Sequence, residues 1–541
     1  MTANDLSAYV PINSNYGFGL NPGYYGPRWS TQDIVTLGTT LGAKTFRMQL
    51  YDSFLSTYGL TSLVADYEKL KFLGAFDIAA MVGGVSEKNR WNPFNQVDQW
   101  NGQTYDAGKM FLGMYEPIWN PDGSVNTKNT FAKYLYDVVK TYGQYITYYE
   151  VWNEPDFTGG SGGWLGDLEP PAAGSWFDHD PAPEELTNLR ATIPYYVRLL
   201  RISWEVIKSL YPSSHVCTGG LGNRSFLAAL LRNTDNPNGG AVTLDYPLTA
   251  GAYFDVLSFH TYPEFSYDVK HWDNAVGGQV YNRHSDACLS GHFRYQTRFN
   301  DLLVQAGYDG VRMSRKHFIC TETGTSRVMD NDNVGSSEIQ RNYLLKCHIK
   351  TLMNGNIKQT YWYQTGDSGV DPDHWGAFGL FYYFGDNPPL TATASDQGKA
   401  LSTLTHLLYG CVYDEAKTLA LHLPSTVDGG AFKRPDGTYL YALWAKTTTD
   451  LSEQASATLL LPDALHKTTL WDGTTWDIGS SVALNATPQF VSPLASPPPS
   501  ETYTGRKGYW ILDQKRVYYK VYKFPDSSYQ IKTGDYTWWK S

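Results

Sequence analysis

The pattern that most restricts the fold of this chain is an alternation repeated eight times over its first three-quarters. Each time, a short run rich in β-branched and aromatic residues is followed by an amphipathic helical stretch. The runs read as strands are Tyr16 to Leu20, Lys44 to Leu50, Phe76 to Val82, Ile146 to Trp152, Val216 to Gly220, Val256 to Tyr262, Phe318 to Glu322 and Gln359 to Gln364. Helix signals fill the gaps. Ser30 with Asp33 resembles a capping box, Ser336 or Ser337 opens a helix that Gly355 ends, and Ser395 opens another that stops at Gly410. Eight strand-then-helix units in this order predict an α/β fold, a (β/α)8 TIM barrel over residues 1–410, with an open doubly wound sheet as the alternative.

Beyond Cys411 the helical period disappears. Short apolar runs take over, among them TLALHLP, YLYALWAK, ATLLLP, GYWILD and VYYKVYKF, and the turn Pro435, Asp436, Gly437 joins two of them as a hairpin signal. Residues 411–541 are therefore expected to form a β-sandwich domain, with the Pro-rich stretch at 492–500 as a rigid surface loop.

Composition narrows the function classes. Hydrophobic residues make up 42% and charged residues 18%, as in a chain that folds throughout. The 53 acidic and 43 basic residues give a net charge of −10 with no basic stripe, which argues against nucleic acid as a partner. No stretch approaches the roughly 20 apolar residues of a membrane span. The N-terminal MTANDLSAYVPINSN lacks the charged start and apolar middle of a signal peptide, so the chain is expected to be cytoplasmic unless a secretory or periplasmic signal has been removed. Five scattered cysteines show neither a disulfide framework nor metal-knuckle spacing, and buried free thiols are expected. Nothing in the sequence speaks to oligomeric state.

Two strand ends carry chemistry. The fourth ends YYEVWNEP, with Glu154 at its tip, and the seventh ends HFICTETG, with Glu322 at its tip. Strands four and seven face one another across a barrel mouth, where barrel active sites lie. A pair of carboxyl groups there suits cleavage of a glycosidic bond. Trp152, Asn153, Glu154 and Pro155 resemble the Asn-Glu-Pro signature of clan A glycoside hydrolases, and Glu322 is similar to that clan's strand-seven nucleophile. The barrel followed by a C-terminal sandwich most resembles family 39 and its neighbours, which include β-xylosidases.

The resemblance implies roles residue by residue. Glu154 would be the general acid/base, its pKa raised by burial and a neighbouring carboxylate. Glu322 would be the nucleophile of a retaining double displacement with no metal or organic cofactor. Asn153 would bind the sugar 2-hydroxyl, and Arg47 would keep Glu322 ionised. On strand six, His260 and Tyr262 share a face by the two-residue period and would contact the acid/base, the nucleophile or the sugar. Trp362 on strand eight is favoured as the aromatic floor of the sugar site, with Trp375 as the alternative. The loop after the acid, residues 157–185, is expected to wall the substrate, with Trp164 and Trp176 facing it.

Asp178, His179 and Asp180, and likewise the DPDHW run at 371–375, read as solvated turns in preference to metal sites. The expected activity is hydrolysis of an O-glycosidic, β-type bond of an oligo- or polysaccharide. Its rivals are a transglycosylase using the same residues and a noncatalytic carbohydrate-binding barrel.

Overall fold

A computed structural model describes residues 15–23, 30–159, 163, 170–385, 391–462 and 465–494, together with the backbone of strands at 509–512, 518–523 and 529–532. Eight parallel strands form one sheet: β1 (Gly19–Asn21), β2 (Arg47–Gln49), β3 (Ile78–Val82), β4 (Ile146–Val151), β5 (His215–Cys217), β6 (Val256–Thr261), β7 (His317–Thr323) and β8 (Ile357–Tyr363). Their order is β1-β8-β7-β6-β5-β4-β3-β2. A parallel bridge between Leu20 and Phe46, with Leu20 N–H donating to Thr45 O at 3.0 Å, joins the two edges and closes the ring. The fold is the (β/α)8 barrel.

Helices cover the outside after every strand: α1 (Thr31–Thr40), α2 (Asp52–Tyr58), α3 (Val64–Phe72), α4 (Thr130–Tyr142), α5 (Ile193–Leu210), α6 (Arg224–Arg232), α7 (Ser285–Gln305), α8 (Ser337–Asn354) and α9 (Asp396–Leu408). The caps follow the local chemistry. Ser30 and Asp33 form a complete capping box, Ser336 and Ser395 each accept an N–H of the first turn, and Gly355 ends α8 at φ 68°. No helix among the described residues is long and apolar enough to cross a membrane.

The barrel interior is layered. Ala79, Tyr148, Cys217, Val256, Ile319 and Tyr361 pack as a closed apolar cluster. Two residues further along their strands, Glu150, Ser258 and Thr321 are also fully buried, so the two-residue strand period sets a polar layer directly above an apolar one. All five cysteines are buried and free.

The C-terminal region begins with β9 (Val412–Tyr413) and the short helix α10 (Glu415–Leu419). The run TLALHLP, expected as a strand, starts inside this helix and continues as turns. Asp414 caps the helix by accepting Lys417 N–H, and local capping overrides the apolar alternation. Then come β10 (Val427–Lys433), β11 (Tyr439–Ala445), β12 (Ser456–Leu460), β13 (His466–Thr469), β14 (Thr475–Ile478), β15 (Ser481–Asn485) and β16 (Gln489–Pro493). One antiparallel sheet has the order β9-β10-β11-β16-β13-β14, and β12 pairs with β15 in a second. The hairpin between β10 and β11 turns at Gly437, φ 85°. Leu443, Leu459, Leu461, Val482, Leu484 and Val491 fill the space between the two sheets. The strands at 509–512, 518–523 and 529–532 make a separate antiparallel sheet. The Pro-rich stretch lies outside the described residues from 495 onward.

The larger sheet is buried on both faces, which is why YLYALWA shows no polar alternation. Its other side, carrying Phe432, Leu440, Ala442, Trp444 and Phe490, joins the core of the barrel. Charged groups seal the contact. Asp286 on α7 accepts from Trp444 Nε1 at 2.9 Å and from Lys346 Nζ at 2.7 Å, and Glu453 accepts from Ser285 N–H at 2.8 Å and Asn342 Nδ2 at 2.7 Å.

Candidate active site

At the C-terminal mouth of the barrel, the end of β4 is bent sharply. Trp152 (φ 78°) and Glu154 (φ 45°) both take left-handed backbone, which costs energy for non-glycine residues and persists where the surroundings hold it. Here Trp152 N–H donates to Val82 O at 2.8 Å and Glu154 N–H to Gly219 O at 2.5 Å. The effect is to direct the Glu154 carboxyl toward β6.

Strand β7 is irregular in a complementary way. Phe259 on β6 pairs with Cys320, yet His260, the next residue, pairs with Glu322, and the pairing with β8 skips a residue over the same span. Thr321 is the extra residue of a β-bulge. The bulge brings two consecutive side chains to the inner side, Thr321 toward the polar layer and Glu322 toward the mouth.

Arg47, 2% exposed, spends each of its nitrogens on a different acceptor. Nε donates to Glu150 Oε2 at 2.6 Å, one terminal nitrogen to Glu322 Oε1, and the other to Asn153 Oδ1 at 2.7 Å. Burial opposes its charge, but Glu150 and Glu322 outweigh it and hold the guanidinium protonated. Tyr262 Oη donates to Glu322 Oε2 at 2.8 Å, and its pKa is pushed up by burial and by that carboxylate.

His260 connects the two halves of the site. Nδ1 lies 2.8 Å from Glu154 Oε1 and 3.7 Å from Glu322 Oε2, and Nε2 lies 3.0 Å from Thr321 Oγ1. The ring is pinned by Gly220 (φ 69°), where an added Cβ would sit 2.2 Å from Nε2. Donor atoms of Glu154, His260 and Glu322 all fall within 4.8 Å of one another. They are the one group among the described residues with a spacing that would suit a metal ion. The guanidinium already bonded to Glu322 opposes a further cation there.

The protonation balance differs from the sequence expectation. Burial pushes the Glu154 carboxyl up, but the hydrogen bond and charge of His260, helped by Arg47, outweigh burial and leave it below the ordinary carboxylate range. For His260, burial disfavours the charged form, yet Glu322 and Glu154 more than compensate and raise its pKa. The nearby carboxylate therefore acts on the imidazole more than on Glu154.

The other expected residues divide. Trp362 is not an aromatic floor: its indole is fully buried, donates to Gln397 Oε1 at 3.0 Å and packs on Tyr343. Tyr361 points into the barrel, so alternation sends Trp362 outward to the helices. Tyr363 is the residue that meets the site, 6.2 Å from the Tyr262 ring, its pKa pushed to about 12 by burial and by the charges of Glu322 and Glu154. Trp375 is 49% exposed and stacks on Phe265 at 6.1 Å, at the outer rim. Trp176 does not face substrate either. It is fully buried, packs edge-on against Phe226 and donates to Glu185. Trp164 lies outside the described residues.

Asp180 is bound by Arg232, which also ties down the carbonyls of Trp176, Phe177 and His179. His374 of the DPDHW run is buried, with Nδ1 on Val328 O at 2.7 Å and Nε2 3.4 Å from Glu264, so that run is a loop anchor and not a solvated turn.

Two carboxylates escaped the sequence reading. Glu150 is fully buried and accepts from Arg47, Ser258 Oγ at 2.7 Å and Thr321 Oγ1 at 2.7 Å. Asp156 accepts from Gly222 N–H at 2.8 Å and Asn223 N–H at 2.6 Å, yet burial raises its pKa to about 7. It lines a cavity of about 310 Å³ with Glu154, Phe157, Tyr262, Phe265 and Tyr295. Glu322 and Arg47 are not part of that lining.

No protein-family model matches this sequence, and no curated protein is found similar to it. Solved structures resemble it in fold. A family 39 glycoside hydrolase from the gut symbiont Bacteroides cellulosilyticus aligns over 90% of this chain and 83% of its own, with 16% identity and a TM-score of 0.56. A glucosidase from Croceicoccus marinus aligns over 90% and 98%, with 12% identity and a TM-score of 0.49. A family 30 endoxylanase from Clostridium papyrosolvens aligns over the same shares, with 13% identity and a TM-score of 0.46.

Proposed function

We propose that this chain is a retaining glycoside hydrolase in which Glu322 attacks the anomeric carbon and Glu154 protonates the leaving oxygen, then activates water. One observation carries the reading: two carboxyl groups from opposite strands meet at the barrel mouth with oxygens inside 4.8 Å. Their partners differ in the sense the two roles need. A retaining enzyme needs its carboxyl groups about 5–5.5 Å apart, whereas an inverting one leaves about 6.5–9.5 Å for a water. Glu322 is held by a guanidinium and a phenol, donors that favour an ionised nucleophile, while Glu154 contacts an imidazole, a group able to exchange a proton near neutrality.

The remaining residues take positions around that bond. Because Arg47 occupies Asn153 Oδ1, the Asn153 Nδ2 is the donor left for a sugar hydroxyl. Tyr363 offers the aromatic surface of the sugar subsite. The cavity that includes Glu154 but not Glu322 lies on the acid's side and holds the leaving group against Phe157 and Phe265, with Trp375 extending that wall. A β-linked oligo- or polysaccharide is the substrate class, in keeping with the family 39 likeness. Retention of both carboxylates disfavours a noncatalytic barrel; a transglycosylase would share every residue named and differ only in the acceptor.

The test is Glu322→Ala against a panel of aryl β-glycosides. Turnover should be abolished, and added azide should restore a glycosyl azide of inverted anomeric configuration. Near-normal activity in this variant, or no turnover of any glycoside by the wild type, would overturn the reading.

A further inference from the structure

The hydroxyl hydrogens behind His260 can be counted. Glu150 Oε1 has two hydroxyl groups at 2.7 Å, Ser258 Oγ and Thr321 Oγ1, and each carries a single hydrogen. The two hydroxyl oxygens are also 2.7 Å apart, and Thr321 Oγ1 lies 3.0 Å from His260 Nε2. Thr321 has three acceptors in reach: an ionised carboxylate, the Ser258 hydroxyl oxygen and, where Nε2 is bare, the ring nitrogen. A hydrogen bond to the charged acceptor is roughly twice as strong, and here it is also shorter than the contact with the ring. Whether its hydrogen goes to Glu150 directly or to Ser258, which then donates to Glu150, Thr321 Oγ1 can only accept from His260, and Nε2 must carry a proton.

The other ring nitrogen is then constrained. Nδ1 and Glu154 Oε1 are 2.8 Å apart, and a hydrogen bond of that length needs one proton between them. If the imidazole is neutral, that proton belongs to Glu154; if the carboxyl is ionised, it belongs to an imidazolium. The opposite tautomer, with Nε2 bare, would let a neutral imidazole donate to an ionised Glu154 and leave the acid without a proton to deliver. The charged groups facing the ring are Glu154, Glu322, Glu150 at 3.9 Å from Nε2, and Arg47 beyond them. None of these is an alternative acceptor for the Nε2 hydrogen within hydrogen-bond distance.

We propose that Thr321 is a positioning residue: bound to Glu150, it fixes His260 in the Nε2-protonated form, so that His260 Nδ1 and Glu154 Oε1 share the single proton passed to the leaving oxygen. This rests on Glu154 being the acid. When the glycosidic bond breaks, the shared proton moves to the departing oxygen and Nδ1 is left facing an ionised Glu154. The proton is regained from the attacking water in the second half-reaction. The β-bulge thus brings the nucleophile and the residue that sets the acid's proton to the inner face side by side.

The experiment is ¹⁵N NMR of the full chain labelled at histidine, with the His260 signals assigned by their loss in His260→Asn. Wild type should show a protonated Nε2. Thr321→Val, which keeps the shape and removes the hydroxyl, should move Nε2 to the unprotonated position. It should also lower kcat/KM on substrates with poor leaving groups about 10–100-fold, while the most activated aryl glycoside changes less than about threefold. Thr321→Ser should match wild type in both readouts. A bare Nε2 in wild type, an unchanged spectrum in Thr321→Val, or equal losses on good and poor leaving groups would each overturn the proposal. The resonances report whether or not a glycoside is turned over, so failure here is separate from failure of the hydrolase reading, which would appear as an inactive wild type.

Discussion

Replacing Arg47 by Met separates what the site's central cation does for the fold from what it does for chemistry. Arg47 and Glu150 are both buried, and their contact is 2.6 Å. Removing one partner of such a pair leaves an uncompensated charge and costs about 3–5 kcal/mol. Glu150 keeps two hydroxyl donors, which places Arg47→Met toward the lower end of that range. In Arg47→Met with Glu150→Gln the stranded charge is gone, so the double variant should be more stable than Arg47→Met alone. Activity should not follow. Glu322 has lost a charge-assisted hydrogen bond worth about 1.5–3 kcal/mol, a factor of about 10–150 in rate, and a glutamine at position 150 cannot replace it. The assays are urea denaturation followed by tryptophan fluorescence and kcat/KM on an aryl glycoside. A denaturation midpoint for Arg47→Met equal to wild type, or a double variant that regains activity together with stability, would refute the reasoning.

Asp156 titrates at about 7 in the folded chain, against about 3.9 for an ordinary aspartate. The folded state therefore binds the proton more tightly between those values, and stability falls as pH rises through that window by up to about 1.4 kcal/mol per unit. Asp156→Asn keeps an acceptor for the Gly222 and Asn223 amides, so it should raise the denaturation midpoint at pH 7, leave it nearly unchanged at pH 4, and flatten the slope between; an unaltered slope would refute this. Trp362→Ala should destabilise by about 3–5 kcal/mol as a core truncation. Trp375→Ala should leave stability within about 0.5 kcal/mol and raise KM for longer oligosaccharides; the reverse pattern in thermal melts and kinetics would exchange their assigned places.

Much of this was legible in the sequence because barrel strands announce their ends. YYEVWNEP and HFICTETG each carry a β-rich run that terminates in an acidic residue. Glu150 was within reach too. It sits two residues after the inward-facing Tyr148, so strand alternation alone puts a charge in the barrel interior, and a buried carboxylate demands a cation such as Arg47. The same parity separates Trp362 from Tyr363. Thr321 was not legible, because a bulge depends on how β7 pairs with both neighbours and leaves no mark in the run HFICTET. Trp176 lies in an irregular loop, where no periodicity tells an inward ring from an outward one. The fate of TLALHLP turned on a single capping residue, Asp414, which lies outside the run.

Charge counting gives the proposed chemistry a further constraint. Glu150 and Glu322 contribute two negative charges, Arg47 one positive, and the Glu154–His260 pair with its single proton is neutral in either form. The cluster therefore carries one net negative charge in a largely buried setting, where such charge acts with little screening. Glycoside cleavage passes through an oxocarbenium-like transition state, and a fixed anion beside it lowers the barrier without reorganisation. The balance then maintains itself. Covalent bond formation neutralises Glu322 while loss of the proton leaves the pair with one negative charge, so the net charge is the same in the intermediate as in the free site. The second displacement, which again builds positive charge on the sugar, meets the same net charge as the first, now carried on the acid's side. A second proton on the pair would erase that charge, and loss of the shared one would remove the acid. By this reasoning the Thr321 hydroxyl, through the tautomer it sets, governs both half-reactions from a position that no substrate reaches.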